Sequence, residues 1–84
     1  MFYAYVLRSE SSGRLYIGST EDFERRFAQH QIGEARYTRG RGPWQVVLVE
    51  TYATRAEAMR RERSLKTGQG RQWLNGRAGP PEAD

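Results

Sequence analysis

Two short runs near the N-terminus constrain the fold most. "FYAYVLR" (2–8) and "RLYIG" (14–18) are rich in β-branched and aromatic residues, and the "SESSG" between them is turn chemistry, so the segment reads as a β-hairpin. Setting Tyr5 opposite Tyr16 places Val6 against Leu15 and Ala4 against Ile17. One face then carries Phe2, Ala4, Val6, Leu15 and Ile17, all apolar. The other carries Tyr3, Tyr5, Arg14, Tyr16 and Gly18. A slip of one residue would mix the two sets and turn Tyr16 to the apolar side. The alternation therefore predicts neighbouring tyrosine hydroxyls on the polar face.

The remaining elements follow in order. "STED" (19–22) predicts the start of a helix capped by Ser19 or Thr20, with Glu21 and Asp22 at the positive end of its dipole. That helix runs to about Gln31 and stops at Gly33. Phe23 and Phe27 share its core-facing stripe, and Arg26 and His30 lie beside it. "GEARYTRGRGP" (33–43) is a loop rich in glycine and arginine. In "WQVVLVETY" (44–52), Trp44, Val46 and Leu48 share one face and Val47 and Val49 the other, which predicts a central strand covered on both sides. "TRAE" (54–57) is a capping box, Thr54 with Glu57, opening a helix to about Lys66. "GQGRQWLN" (68–75) predicts a short final helical turn. The reading is one domain over 1–76 and a disordered tail over 77–84. Its fold class is α+β: a small, three-stranded, mainly antiparallel sheet flanked by helices, in the order ββαβαα.

Length and charge narrow the function. Eighty-four residues bury only about 60% of the unfolded surface, so the core is thin. With no cysteine and His30 as the only histidine, a disulfide framework and a Cys/His zinc site are excluded. No glycine-rich GxxxxGK loop is present. The apolar N-terminal run is too short for a signal peptide or a membrane span, so the expected location is the cytoplasm. Fourteen basic residues against ten acidic ones leave a net charge of +4, which suits a polyanionic partner such as nucleic acid, although solubility alone also calls for charge.

Glu62 is the most informative single residue. Its helical neighbours are Ala58, Met59, Leu65 and Lys66, so its carboxylate sits at the edge of a buried face. It either pairs with Lys66 at the surface or turns inward to hold a divalent cation. Arg26 either lays its stem over Phe23 or offers its guanidinium to a phosphate, and His30 is either a packing residue or an acid–base group. Two tyrosines on one sheet face, an arginine and a histidine on one helix edge, and a half-buried glutamate together supply a base, a charge for the phosphorane and a metal ligand. Those are the needs of phosphodiester hydrolysis.

These residues stand in a known order. The chain resembles the GIY-YIG nuclease superfamily, in particular its stand-alone single-domain members, and is similar to the N-terminal nuclease domain of the bacterial excision-repair endonuclease. The second motif is Tyr16-Ile17-Gly18. In place of GIY the chain has Tyr3-Ala4-Tyr5, keeping only the last tyrosine. The spacings Tyr5 to Tyr16 and Tyr16 to Arg26, the helical Glu62 within "EAMRRERSLK" and the closing "KTGQGRQWLNGR" also match, so the resemblance covers about residues 2–76.

The resemblance implies a metal-dependent DNA endonuclease (a hydrolase) active in repair, recombination or processing. Tyr5 or Tyr16 would activate water, assisted by Arg26 and His30, and Arg26 would contact the scissile phosphate. Glu62 would be the protein ligand of one Mg²⁺ or Mn²⁺. Lys66 and Asn75 are further candidates, Asn75 for the asparagine some members use near the domain's end. Independently of the resemblance, Arg36, Tyr37, Arg39 and Arg41 of the loop are candidate contacts to a single-stranded or branched nucleic acid, or simply a solvated loop. A protein partner could supply extra DNA affinity. The alternative is a non-catalytic or partner-dependent nucleic-acid-binding module that keeps the fold.

Overall fold

A computed structural model of the chain describes residues 1–33 and 42–78. The expected order ββαβαα is present: β1 (Phe2–Ser9), β2 (Leu15–Thr20), α1 (Phe23–Gln31), β3 (Trp44–Tyr52), α2 (Arg55–Leu65) and α3 (Gly68–Ala78). The strands form one antiparallel sheet in the order β2-β1-β3. Residues 79–84, and with them most of the expected tail, lie outside the described residues, as do Arg36, Tyr37, Arg39 and Arg41.

The hairpin keeps both predicted faces but shifts its pairing by two residues: Tyr5 lies opposite Gly18, Val6 opposite Ile17 and Leu7 opposite Tyr16. The turn explains the shift. Ser9 N–H donates to Arg14 O at 2.8 Å and Gly13 N–H to Ser9 O at 2.8 Å, while Ser9 Oγ accepts from Ser12 N–H. Ser9 thus joins the strand and the connection moves on by one residue to 10–14, a common hairpin length. An even shift leaves every side chain on its original face.

The central strand is β1, not β3. Ala4, Tyr5, Val6 and Leu7 are at most 1% exposed, whereas Val46 and Val49 on β3 are among the exposed large hydrophobics. A register irregularity between Val6 and Leu7 pairs these residues with Leu48 and Val46, leaving Val47 as the extra residue. Trp44 and Leu48 consequently point to opposite faces rather than sharing one. Trp44 joins Tyr5, Leu7, Tyr16, Phe23 and Phe27 beneath α1, and Leu48 joins Val6, Ile17, Leu65 and Leu74 beneath α2 and α3. The sheet is therefore covered on both sides, which is why its middle strand is the most deeply buried.

The helix starts divide. The Thr54–Glu57 capping box is present. At α1 the cap is Asp22, whose Oδ1 accepts from Arg25 N–H; Ser19 and Thr20 instead finish β2. Gln31 ties the end of α1 to β3 with its amide, accepting from Trp44 N–H and donating to Trp44 O. Helix α3 extends through Ala78, well past one turn, because Leu74 is driven fully into the core. None of the described helices is long and apolar enough to cross a membrane.

Candidate active site

The chemistry-bearing side chains come from both layers, and Tyr16 of the edge strand β2 lines a cavity with Glu62, while Arg26 lines a separate one with Thr20 and Gln29. From the α1 layer come Tyr5, Tyr16, Arg26 and His30. Tyr5 is buried, and its hydroxyl is hydrogen-bonded to His30 Nε2 at 3.0 Å, the direction being set by the imidazole tautomer. The Tyr16 and His30 rings lie 4.6 Å apart between centroids, and the two tyrosine rings 6.2 Å apart. The Arg26 guanidinium is close enough to both phenols to act on their charge, and it donates to Gln29 Oε1 at 3.0 Å.

Burial sets the protonation of this group. It pushes the Tyr5 phenol up to about 12, although Arg26 works in the other direction. It also pulls His30 down to about 4, helped by the nearby Arg26 charge, so His30 is neutral at physiological pH. Burial opposes the Arg26 charge as well, but the two phenols outweigh it and hold its pKa above the ordinary value.

Gly18 is required by close approach. A Cβ at this position would lie 2.7 Å from Tyr5 Oη, 2.9 Å from Tyr5 Cζ and 3.2 Å from Tyr16 Cε1. The Tyr5 ring is packed beneath α1 against Phe23 and held by His30, so it cannot yield without strain. Gly18→Ala is expected to destabilise the fold by about 1–3 kcal/mol and to displace both hydroxyls. Urea denaturation checks the first effect, and near-ultraviolet circular dichroism of the tyrosines checks the second.

From the other layer comes Glu62 on α2. Its Oε2 pairs with Lys66 Nζ at 2.6 Å and its Oε1 accepts from Ser19 Oγ at 2.7 Å, with the side chain 21% exposed. The ion pair with Lys66 and the half-buried carboxylate thus coexist. Glu62, Lys66, Tyr16 and Arg71 line an open cavity of about 450 Å³. Among the described residues no cluster of three or more His, Cys, Asp or Glu could hold a metal. A divalent cation at Glu62 would take its other ligands from water and substrate oxygens, as hard cations accept. Each carboxylate oxygen retains a lone pair beyond its present hydrogen bond, so the residues fit such an ion.

Ser19 was hidden in the sequence by its resemblance to a helix cap. The strand alternation Leu15, Ile17, Ser19 is the signal that puts it on the α2 side, facing Glu62. Asn75 stands apart from the phenols, lining a neighbouring cavity with Gly13, Arg14, Leu15 and Arg71.

The family model for the GIY-YIG catalytic domain matches residues 1–75. A UPF0213 protein of Oceanobacillus iheyensis is 42% identical over 65 residues, covering 76% of this chain and 74% of the relative. One of Haloquadratum walsbyi is 46% identical over 66 residues, covering 77% and 73%. The solution structure of a UPF0213 protein from Bacillus halodurans superposes with a TM-score of 0.54 at 36% identity, covering 90% of this chain and 84% of that one. Matched over nearly its whole described length, the chain belongs to the GIY-YIG nuclease family and is similar within it to the UPF0213 proteins.

Proposed function

We propose that this protein is a DNA endonuclease that hydrolyses phosphodiester bonds with the help of one divalent cation, Mg²⁺ or Mn²⁺, in cytoplasmic DNA repair, recombination or processing. The supporting observation is the cavity shared by Tyr16 and Glu62, with the Arg26 charge close to the same phenol. The cation, when bound, supplies Lewis acidity toward the phosphate and the departing oxygen.

The protein's own residues do the rest. Tyr16 takes the proton of the attacking water, because it is the phenol that faces the cavity. The phenolate form of Tyr16 is the one that accepts this proton, and the N–H groups of the nearby Arg26 meet the charge growing on the phosphate. Tyr5 and neutral His30 position Arg26 from behind, out of reach of solvent. Glu62 anchors the cation, and Ser19 aims the carboxylate. Lys66 offers an ammonium within the same cavity to a phosphate oxygen. Arg36, Tyr37, Arg39 and Arg41 would extend the contact along the backbone.

The test is incubation of the purified protein with end-labelled single-stranded, duplex and branched DNA, with Mg²⁺, Mn²⁺ or a chelator. Cleavage is expected with metal and not with chelator. Glu62→Gln keeps the side chain's shape while removing its charge, and should raise the metal concentration needed by about tenfold or more. Binding without cutting on every form of DNA would make the protein a binding module instead, with Glu62 held by Lys66 for structure alone.

A further inference from the structure

The cavity at Glu62 does not end there. Leu15 and Arg71 line it and also line a second open cavity of about 410 Å³, whose other walls are Gly13, Arg14 and Asn75. The two cavities share these walls and lie side by side as a trough between the Tyr16–Glu62 chemistry and the hairpin turn.

Arg55 is paired with Glu21, Arg61 with Glu50 and Lys66 with Glu62. Among the described residues no carboxylate pairs with Arg14 or Arg71, and none lines the second cavity. Two uncompensated guanidinium groups therefore face the same space, with the Asn75 amide one helical turn beyond Arg71.

Packing holds them in place. Arg71 lies between Gly70 and the fully buried Leu74. A Cβ on Gly70 would meet Leu65 Cα at 2.7 Å, so α3 starts directly against the end of α2. Arg71 N–H donates to Thr67 O at 2.9 Å. Arg71 thus projects from a fixed backbone, and Arg14 from the residue that closes the hairpin turn onto Ser9.

We propose that Arg14 and Arg71 form a second phosphate-binding subsite, which takes the sugar-phosphate backbone of the nucleic acid strand beside the scissile bond. This rests on the nuclease reading above and adds a direction to it: the strand runs along β2, with Arg26 at the reacting phosphate and Arg71 then Arg14 on its flank. Guanidinium groups suit this task because their planar fork matches phosphate oxygens in pairs. Such contacts fix register and orientation without reading bases.

The test is binding rather than cleavage. A fluorescein-labelled single-stranded oligonucleotide is titrated in chelator over a range of salt by polarisation, with folding of each variant checked by circular dichroism. Each phosphate contact removed lowers the steepness of log K against log salt by about 0.7 for a single strand. Arg14→Ala and Arg71→Ala should each show that reduction. Arg71→Lys should keep the slope, and Arg63→Ala, exposed on α2 away from the trough, should leave it unchanged. Should Arg71→Ala fail to fold, Arg14→Ala carries the test.

Wild-type slopes in both alanine variants, or an equal loss in Arg63→Ala, would overturn the subsite even if wild-type protein cuts DNA. Reduced slopes in a protein that never cuts would support the subsite and remove the nuclease reading. Absence of oligonucleotide binding at the lowest salt would overturn the subsite, while the cleavage test on duplex and branched DNA decides the nuclease reading separately.

Discussion

Replacing Tyr16 by phenylalanine is expected to lower the cleavage rate by roughly 10²–10⁴-fold, the range associated with loss of a general base, while leaving DNA affinity and stability nearly intact. Tyr5→Phe should behave in the opposite way. Tyr16 is half-buried and opens onto the cavity that holds Glu62, whereas Tyr5 is 1% exposed with its hydroxyl spent on His30. The Tyr5 phenol has also been pushed up to about 12 by burial, which makes it harder to ionise than an ordinary phenol. Its removal leaves a buried His30 nitrogen without that hydrogen bond, at a cost of about 1–3 kcal/mol, and loosens Arg26. The pair of variants separates the roles: single-turnover rates report the base, and urea midpoints report the support. A large rate loss in Tyr5→Phe with a small one in Tyr16→Phe would reverse the assignment.

The candidate site residues can be picked out from the sequence, but their spatial relations cannot. Strand alternation put Tyr3, Tyr5, Tyr16 and Gly18 on one face because side-chain direction has a period of two, and that survives any even shift of register. The shift itself came from Ser9 folding its hydroxyl onto Ser12 N–H, a local choice that a pattern of apolar residues does not encode. The centre of the sheet was misplaced for a related reason. Valines on both faces of β3 looked like two-sided cover, but they accompany a register irregularity near Val47, and the deeply buried strand is β1. Ser19 was concealed because Ser-Thr before acidic residues also signals a helix cap, a role taken by Asp22. Glu62 was read as either an ion pair or an inward carboxylate, yet a carboxylate has two oxygens and makes one contact with each. Three-dimensional placement shows the Lys66 pair on one oxygen and the Ser19 hydrogen bond on the other, and the cation at Glu62 belongs to the proposed function.

The second large effect is on stability, and it comes from acid. His30 is fully buried, and its pKa is lowered to about 4 from an ordinary 6.5, first by burial and then by the charge of Arg26. Above pH 6.5 both the folded and unfolded chains carry a neutral imidazole, so titration costs nothing. As pH falls from 6.5 toward 4 the unfolded chain takes up a proton that the folded one refuses, and stability declines. Below about 4 both are protonated and the loss levels off at about 3 kcal/mol. That is a large share of what a domain this small possesses. The geometry explains why the folded state resists: an imidazolium would have to donate toward Tyr5, whose oxygen already faces the Arg26 guanidinium, bringing two cations around one phenol. Urea unfolding followed between pH 7.5 and 4 should therefore show a steep loss in the wild type and a shallower one in His30→Gln, which can hydrogen-bond Tyr5 but cannot titrate. Carboxylates titrate alike in both proteins, so the difference between the curves isolates the histidine. Parallel curves would mean that His30 protonates freely in the folded state, and the neutral support assigned to it behind Arg26 would then be wrong.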